Sequence, residues 1–317
     1  MSTLTEGSFD EGDVADALFN RGAFLRKLRE MEAQDEAERL AADQESCSGS
    51  SSSDVMSEPD NDTLYYPKYL AKQKYYDDYK HINYKYIDFG YPEQKPGETD
   101  YQHECKQQHQ QLPLLIEQDK SVGKGGHVWD AAVILADHFL HEKPEWQKVT
   151  TSTTTSSSNS SSNSRVTNMV ELGAGTGVTG LMVAQALPEE VHIGLTDLPL
   201  LMPLLEKNLA HNDNPPNASA FVLEWGGTVS SSYDVILGAD VVAGIYDAFG
   251  LAKTIFELAH ERTLVYISIN KRFQEPIEEF QSAMTKFFDQ IEIRPSVSRN
   301  KNPNVSILVA TGKRSNQ

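Results

Sequence analysis

The segment from Val166 to Gly180 constrains the fold more than any other part of the chain, because an apolar run is followed there by four closely spaced glycines. The apolar residues Val166, Met169, Val170 and Leu172 have the density of a buried strand. Glycines follow at positions 173, 175, 177 and 180, and the pattern becomes helical from Val178. Because glycine permits positive φ and the close approach of a ligand, this strand, turn and helix start predict a ligand-binding loop in an α/β sheet.

The carboxylate of Glu171, just before the loop, discriminates between candidate ligands. Dinucleotide sites use a similar loop to hold a pyrophosphate, and a carboxylate at this position would repel that group. It suits a ligand with a positive end, such as the amino group or sulfonium of S-adenosylmethionine. The loop therefore favours a methyl donor, with a dinucleotide site and a structural glycine turn as the alternatives.

The next strand predicted along the chain, Val191–Thr196, ends at Asp197, which lies 22 residues after Gly175. In this architecture an acid at that distance binds ribose hydroxyls. The alternative is that Asp197 caps the helix that begins at Leu198, and one carboxylate can do both. We expect the ribose role because the glycine loop precedes it.

Two later strands are predicted to deliver side chains to the same edge of the sheet. Trp225 follows the predicted strand Ala220–Leu223, and an aromatic ring there can lie beside an adenine. Ala239 and Asp240 follow the predicted strand Tyr233–Gly238, at the edge where ligand and chemistry meet in open α/β sheets. Asp240 is the candidate for orienting a methyl acceptor, and a helix cap or a structural hydrogen bond is the alternative.

The order of the elements predicts a doubly wound α/β sheet. Strands alternate with helices until two strands, near Ile291 and over Val305–Ala310, come close together and predict a C-terminal antiparallel hairpin. Ahead of the main sheet, alternation in His81–Ile87 and the run Leu112–Ile116 predict an N-terminal β-hairpin.

Polar stretches divide the chain into a tail and a domain. Residues 1–62 contain sixteen Asp or Glu against five Lys or Arg, and they end near a serine run, so we expect a largely disordered acidic tail. Residues 63–317 are expected to form the catalytic domain. Within it, residues 150–164 are nearly all Ser, Thr and Asn, which predicts a disordered insertion.

Charge and composition narrow the function classes. A net charge of −18 argues against nucleic acid as a partner, because that binding requires clustered Lys and Arg. The chain has no 18-residue apolar run and no charged-then-apolar leader, so we expect neither a membrane span nor secretion. Cys47 and Cys105 read as reduced thiols of a cytosolic or nuclear protein, and the histidines lack metal-binding spacing.

Five motifs in a fixed order resemble the methyltransferase-like 21 type of seven-β-strand protein-lysine methyltransferase, over roughly residues 110–312. They are V-W-D-A-A at Val128–Ala132, E-L-G-A-G-T-G at Glu171–Gly177, T-D at Thr196–Asp197, E-W-G at Glu224–Gly226 and G-A-D at Gly238–Asp240. The resemblance implies a seven-stranded, Rossmann-like methyltransferase sheet. The first 110 residues are not explained by it.

The resemblance also implies a set of roles. S-adenosylmethionine would be the cofactor, with no metal, and its contacts would be Trp129, Gly173, Ala174, Gly175, Asp197, Trp225 and Ala239. The acceptors would be lysines of non-histone proteins such as chaperones, ATPases or translation elongation factors. The sequence does not predict the oligomeric state.

One departure from the family concerns the acceptor side of the site. The family carries Asp-x-x-Tyr after the fourth strand, whereas here Asp240 is followed three residues later by Ala243. Tyr246 is the nearest aromatic residue. Either it bounds the acceptor through a different turn in place of the missing tyrosine, or the acceptor pocket differs from that of the family. A catalytically idle binding module and an NAD-type oxidoreductase are the alternative functions.

Overall fold

The computed structural model describes residues 63–65, 85–88, 114–151, 166–227, 231–271, 274–298 and 302–315. The expectations for the acidic tail and for nearly all of the Ser/Thr/Asn insertion lie outside these residues. Within them the strands are β1 (Thr63–Tyr65), β2 (Tyr86–Asp88), β3 (Leu115–Glu117), β4 (Thr167–Leu172), β5 (Val191–Asp197), β6 (Ala218–Val222), β7 (Tyr233–Ala239), β8 (Ala259–Asn270), β9 (Phe288–Pro295) and β10 (Val305–Lys313). The helices are α1 (Asp130–His141), α2 (Lys143–Thr151), α3 (Val178–Ala186), α4 (Met202–His211), α5 (Ala248–Leu258) and α6 (Gln274–Phe287), and a 3-10 segment covers Lys120–Gly126.

The main sheet has seven strands in the order β6-β5-β4-β7-β8-β10-β9. The first five are parallel, whereas β10 is antiparallel to both β8 and β9. This arrangement confirms the predicted doubly wound sheet with its C-terminal antiparallel hairpin. It also confirms a seven-stranded sheet.

The order of the strands places a crevice beside β4. The chain moves outward from β4 to β5 and β6, then returns to the other side of β4 with β7, so the direction of winding reverses between β4 and β7. Leu172 of β4 pairs with Thr196 of β5 and with Gly238 of β7, which brings the three strand ends to the same level. Ligands bind at such a reversal, outside the carboxyl ends of the strands.

Helices cover both faces of the sheet, and each face has its own core. On one face α1, α2, α3 and α4 contribute to a core that includes Leu135, Trp146, Leu181 and Leu205. On the other face α5 and α6 pack against β4, β7 and β8 through residues such as Ile255 and Phe280. Helix α2 was not predicted, and it takes in the first two residues of the segment read as an insertion.

A small second sheet in the order β1-β2-β3 precedes the main one. Strands β2 and β3 pair antiparallel, with Ile87 opposite Ile116, which confirms the pairing predicted for the N-terminal hairpin. Strand β1, which is parallel to β2, was not predicted.

Two asparagines one turn apart, Asn208 of α4 and Asn212 at its C-cap, complete the hydrogen bonds of β3. The amide of Asn212 accepts from Leu115 N (3.0 Å) and donates to Leu115 O (2.8 Å). Asn208 accepts from Glu117 N (2.7 Å) and donates both to Glu117 O (3.1 Å) and to Thr176 O (2.9 Å). Asn208 therefore ties the small sheet to the glycine loop after β4.

Asn208→Ala is expected to lower the free energy of unfolding by about 2–3 kcal/mol, because it leaves three buried backbone groups without their partner. Glu206→Ala, an exposed substitution on the same helix, is the control and should change stability by less than about 0.5 kcal/mol. Chemical denaturation measures both. Equal stabilities of the two variants would contradict this role of Asn208.

Candidate active site

The backbone after β4 has the left-handed turns that the glycines were expected to allow. Gly173 has φ +61° and Gly175 has φ +55°. A Cβ atom at Gly173 would lie 2.8 Å from Val241 Cγ1 and 3.2 Å from Trp225 Cζ2. The indole of Trp225 therefore lies directly against the loop, and the first glycine is needed for that contact as well as for the turn.

A second backbone segment packs on the same loop. A Cβ atom at Gly175 would lie 2.6 Å from the carbonyl oxygen of Gly125, in the 3-10 segment. The neighbouring Lys124 carbonyl accepts a hydrogen bond from Trp129 Nε1 at 2.9 Å. Trp129 thus holds in place the 3-10 segment that packs against the glycine loop. The sequence reading missed this contact, although the pair Gly125-Gly126 is the kind of signal that marks a close backbone approach.

Asp197 lies at the end of β5 and binds the glycine loop directly. Its Oδ2 accepts from Gly175 N at 2.8 Å, and its Oδ1 accepts from Leu198 N at 2.7 Å. The second bond is not the helix cap considered as the alternative, because α4 begins four residues after Leu198, at Met202, with Leu201 as its N-cap. A carboxylate has about four acceptor positions, so both oxygens retain lone pairs for further donors. Burial raises the pKa of this carboxyl, and the two backbone bonds oppose that rise.

Glu171 is fully buried beneath the loop, and its Oε2 accepts from Gly180 N at 2.8 Å. Burial raises the pKa of this carboxyl from about 4.5 to about 8, against the bond from Gly180. The charge argument made from the sequence assumed an ionised carboxylate, whereas a pKa of about 8 favours the protonated form at pH 7. A role for Glu171 in cofactor binding stays a prediction.

Glu171→Gln is expected to remove a pH dependence of stability. Between pH 4.5 and 8 the unfolded chain releases this proton while the folded chain keeps it, so stability falls as pH rises, by up to about 1.4 kcal/mol per pH unit. The glutamine variant should match the wild type near pH 4.5 and exceed it at pH 8 and above. Denaturant midpoints measured from pH 4.5 to 9 test this, and parallel curves for the two proteins would contradict it.

Asp240 follows β7 at the same edge as the glycine loop. Its backbone has φ +54°, and its amide donates to Ser268 O at 3.1 Å. Ala239, the last residue of β7, and Asp240 are both partly exposed, whereas the next residue, Val241, is buried against Gly173. Asp240 therefore directly precedes the residue that packs against the glycine loop.

The connection between β7 and α5 holds the position of the missing family tyrosine. Ala243, which occupies that position, is partly exposed. Tyr246, in the same connection, is half-buried. Gly244–Asp247 belong to a different compact unit from the rest of the described residues. The role of Tyr246 at the acceptor stays a prediction.

The residues at this edge fit an adenosyl sulfonium. Gly173 and Gly175 carry no side chain, so a ligand in the crevice can approach their backbone closely. Trp225 offers an aromatic surface, and Asp197 offers acceptors for hydroxyl groups. Across the described residues, no group of three or more His, Cys, Asp or Glu could hold a metal ion. No helix in that part of the chain is long and apolar enough to cross a membrane.

Comparison with known proteins agrees with this geometry. The sequence profile of a family described as lysine methyltransferase matches residues 108–294. EEF1A lysine methyltransferase 3 of Xenopus tropicalis is 29% identical over 199 residues, which are 60% of this chain and 76% of that protein.

Two further relatives cover similar parts of the chain. Protein N-lysine methyltransferase METTL21A of Xenopus tropicalis is 32% identical over 168 residues, 51% of this chain and 68% of that protein. Protein-lysine N-methyltransferase EFM6 of Saccharomyces cerevisiae is 27% identical over 225 residues, 64% of this chain and 85% of that protein. The chain belongs to the lysine methyltransferase family, and its cofactor is S-adenosylmethionine.

Proposed function

We propose that this enzyme methylates lysine side chains of a cytosolic or nuclear non-histone protein of the chaperone, ATPase or translation-factor type. One relative is named for EEF1A, which supports an acceptor of the last type. The net charge of −18 disfavours nucleic acid as the acceptor or partner. Two cysteines, too few for a disulfide framework, fit a reducing compartment.

The observation that carries the proposal is that β4, β5 and β7 end side by side at the same edge of the sheet. The glycine loop follows β4, Asp197 ends β5 and Asp240 follows β7. Leu172, the last residue of β4, pairs with Thr196 and Gly238, each one residue before the end of its strand. A donor held by the loop and an acceptor held at Asp240 would therefore lie side by side. Holding two reactants in this way supplies roughly 7–11 kcal/mol in well-oriented model reactions.

The roles assigned to the cofactor side follow from the contacts of each residue. The backbone at Gly173, Ala174 and Gly175 borders the ligand, and Asp197 accepts from ribose hydroxyls while it holds Gly175 N. Trp225 covers Gly173 and can lie beside the adenine ring. Trp129 supports the cofactor site indirectly, because its indole donates to the Lys124 carbonyl and holds that segment in place. Ala239 offers its backbone to the cofactor at the edge of the sheet.

Asp240 is assigned to the acceptor. When bound, S-adenosylmethionine supplies an electrophilic methyl carbon on a positively charged sulfur. The lysine amine must be neutral to attack that carbon, and its ordinary pKa is about 10.4. Desolvation beside a fixed positive charge favours the neutral form, so Asp240 needs to orient the amine and does not need to be a strong base.

Incubation of the purified chain with tritiated S-adenosylmethionine and a hypomethylated cell lysate tests the proposal. Hydrolysis of the labelled protein fraction should release labelled methyllysine, and mass spectrometry should place the label on a chaperone, an ATPase or a translation factor. Label that resists proteases and yields to nucleases would contradict a protein acceptor. An absence of labelled methyllysine, with cofactor binding intact, would instead support the idle binding module.

A further inference from the structure

Ser268 of β8 is a buried polar residue that the cofactor roles leave unexplained. It is fully buried, and its Oγ has no hydrogen-bond partner among the residues that the structure describes. The neighbouring Ile267 and Ile269 belong to the core under α5 and α6, while Tyr266 belongs to the core under α1. Side chains alternate along a strand, so Ser268 faces α1. A buried hydroxyl without a partner is costly and requires an explanation.

The position of Ser268 is next to the acceptor side of the site. Its register partners are Ala239 of β7 and Ile307 of β10, and its carbonyl oxygen accepts from Asp240 N at 3.1 Å. Ala239 faces α1 as well and is partly exposed, so accessible space begins one side chain away from Ser268. Ser268 therefore lies one strand away from Ala239 and Asp240, at the carboxyl edge of the sheet.

Polar contacts at the start of α1 reach the segment before β10. Asp130, which follows Trp129, accepts a hydrogen bond from Asn302 Nδ2 at 2.5 Å. Asn302 leads into β10, where Val305 pairs with Asn270, two residues after Ser268. The first turn of α1 is thus joined to the segment before β10, and the pairing of β10 with β8 begins about 7 Å along the strand from Ser268.

The chemistry of the acceptor explains such a hydroxyl. A neutral primary amine has one lone pair, which must point at the methyl carbon, and two N–H groups, which then need acceptors. As the new N–C bond forms, the C–S bond breaks with its electron pair remaining on sulfur, and the extra proton on nitrogen leaves to water. Asp240, which follows β7, and Ser268 of the adjacent β8 both carry oxygen atoms that can accept from such N–H groups.

Resting on the proposed function, we infer that Ser268 Oγ accepts one N–H of the acceptor lysine and thereby limits how many methyl groups it receives. A monomethylated amine has one N–H fewer, so an acceptor is left without its donor in a second transfer. The wild type should therefore favour the first methylation over later ones.

Ser268→Ala tests the inference through the products as well as the rate. With tritiated S-adenosylmethionine and hypomethylated lysate, total hydrolysis and amino-acid analysis give the amounts of mono-, di- and trimethyllysine. The variant should slow the first methylation about tenfold and raise the ratio of higher forms to monomethyllysine at least about threefold. Ser268→Thr, which keeps a hydroxyl, should restore the ratio. Ser306→Ala, a buried serine on the other face of the sheet, should change neither value.

Stability and cofactor binding separate this role from a structural one. Ser268→Ala should melt no lower than the wild type, because it removes a buried hydroxyl that has no partner, and its affinity for S-adenosylhomocysteine should equal that of the wild type. A lost affinity would overturn the inference. If the alanine variant does not fold, Ser268→Cys takes its place, because a thiol is a much weaker acceptor than a hydroxyl, and it should change the rate and the product ratio in the same direction. An unchanged product ratio and rate would overturn the role of Ser268 while methylation by the wild type upholds the proposed function. A wild type that makes no methyllysine would overturn both.

Discussion

Gly175→Ala is expected to abolish binding of S-adenosylmethionine, with a loss of affinity of at least about a hundredfold. The new Cβ would lie 2.6 Å from the backbone oxygen of Gly125, and φ at this position is +55°. A backbone carbonyl cannot rotate aside as a flexible side chain can, so the loop or the 3-10 segment must move. Either movement disturbs the bond from Gly175 N to Asp197. Isothermal titration calorimetry with S-adenosylmethionine measures the loss.

Gly226→Ala is the matched control for this substitution. Gly226 also has a positive φ, +80°, but a Cβ there would meet nothing within 4 Å. The control variant therefore carries the strain of a left-handed alanine, about 1 kcal/mol, without the clash. We expect it to lose stability and to keep most of its affinity. If the two variants bound the cofactor equally, the contact between Gly125 and Gly175 would not matter for binding.

Asp240→Asn is expected to lower kcat/KM for methyl transfer at least about a hundredfold while S-adenosylhomocysteine binds as tightly as to the wild type. A preorganised polar group aimed at a reacting atom contributes an effect of this order. Asparagine tolerates the positive φ of this position, so the backbone bond to Ser268 is preserved. Transfer of tritium to lysate protein, with calorimetry in parallel, separates the two effects.

Asp247→Asn is the control for the charge change, since it replaces an exposed acid in the same connection. Its turnover should equal that of the wild type within about twofold. An Asp240→Asn variant that turns over as fast as Asp247→Asn would leave Asp240 with only a capping or structural role, the alternative that its sequence position also allowed.

The sequence predicted the sheet and the position of its ligand edge because both depend on local patterns. The apolar run before Gly173, the glycine spacing and the alternation of strands with helices are readable residue by residue. The register of Leu172 with Thr196 and Gly238 then follows from the parallel fold.

What the sequence did not predict depends on tertiary packing. The contact of Gly125 with Gly175 joins residues fifty positions apart, and nothing in the local pattern requires it. Helix α2 has few apolar residues, and its buried Trp146 is stabilised by stacking on Phe139 at 4.9 Å. The raised pKa of Glu171 results from complete burial, which a single sequence does not reveal.

The central claim is that the loop between β4 and α3 binds an adenosyl sulfonium, and calorimetry of the wild-type chain tests it most directly. Titrations with S-adenosylmethionine, S-adenosylhomocysteine and NAD should show saturable heat for the first two compounds and none for the third. Binding of NAD with no heat from either adenosyl compound would contradict the claim.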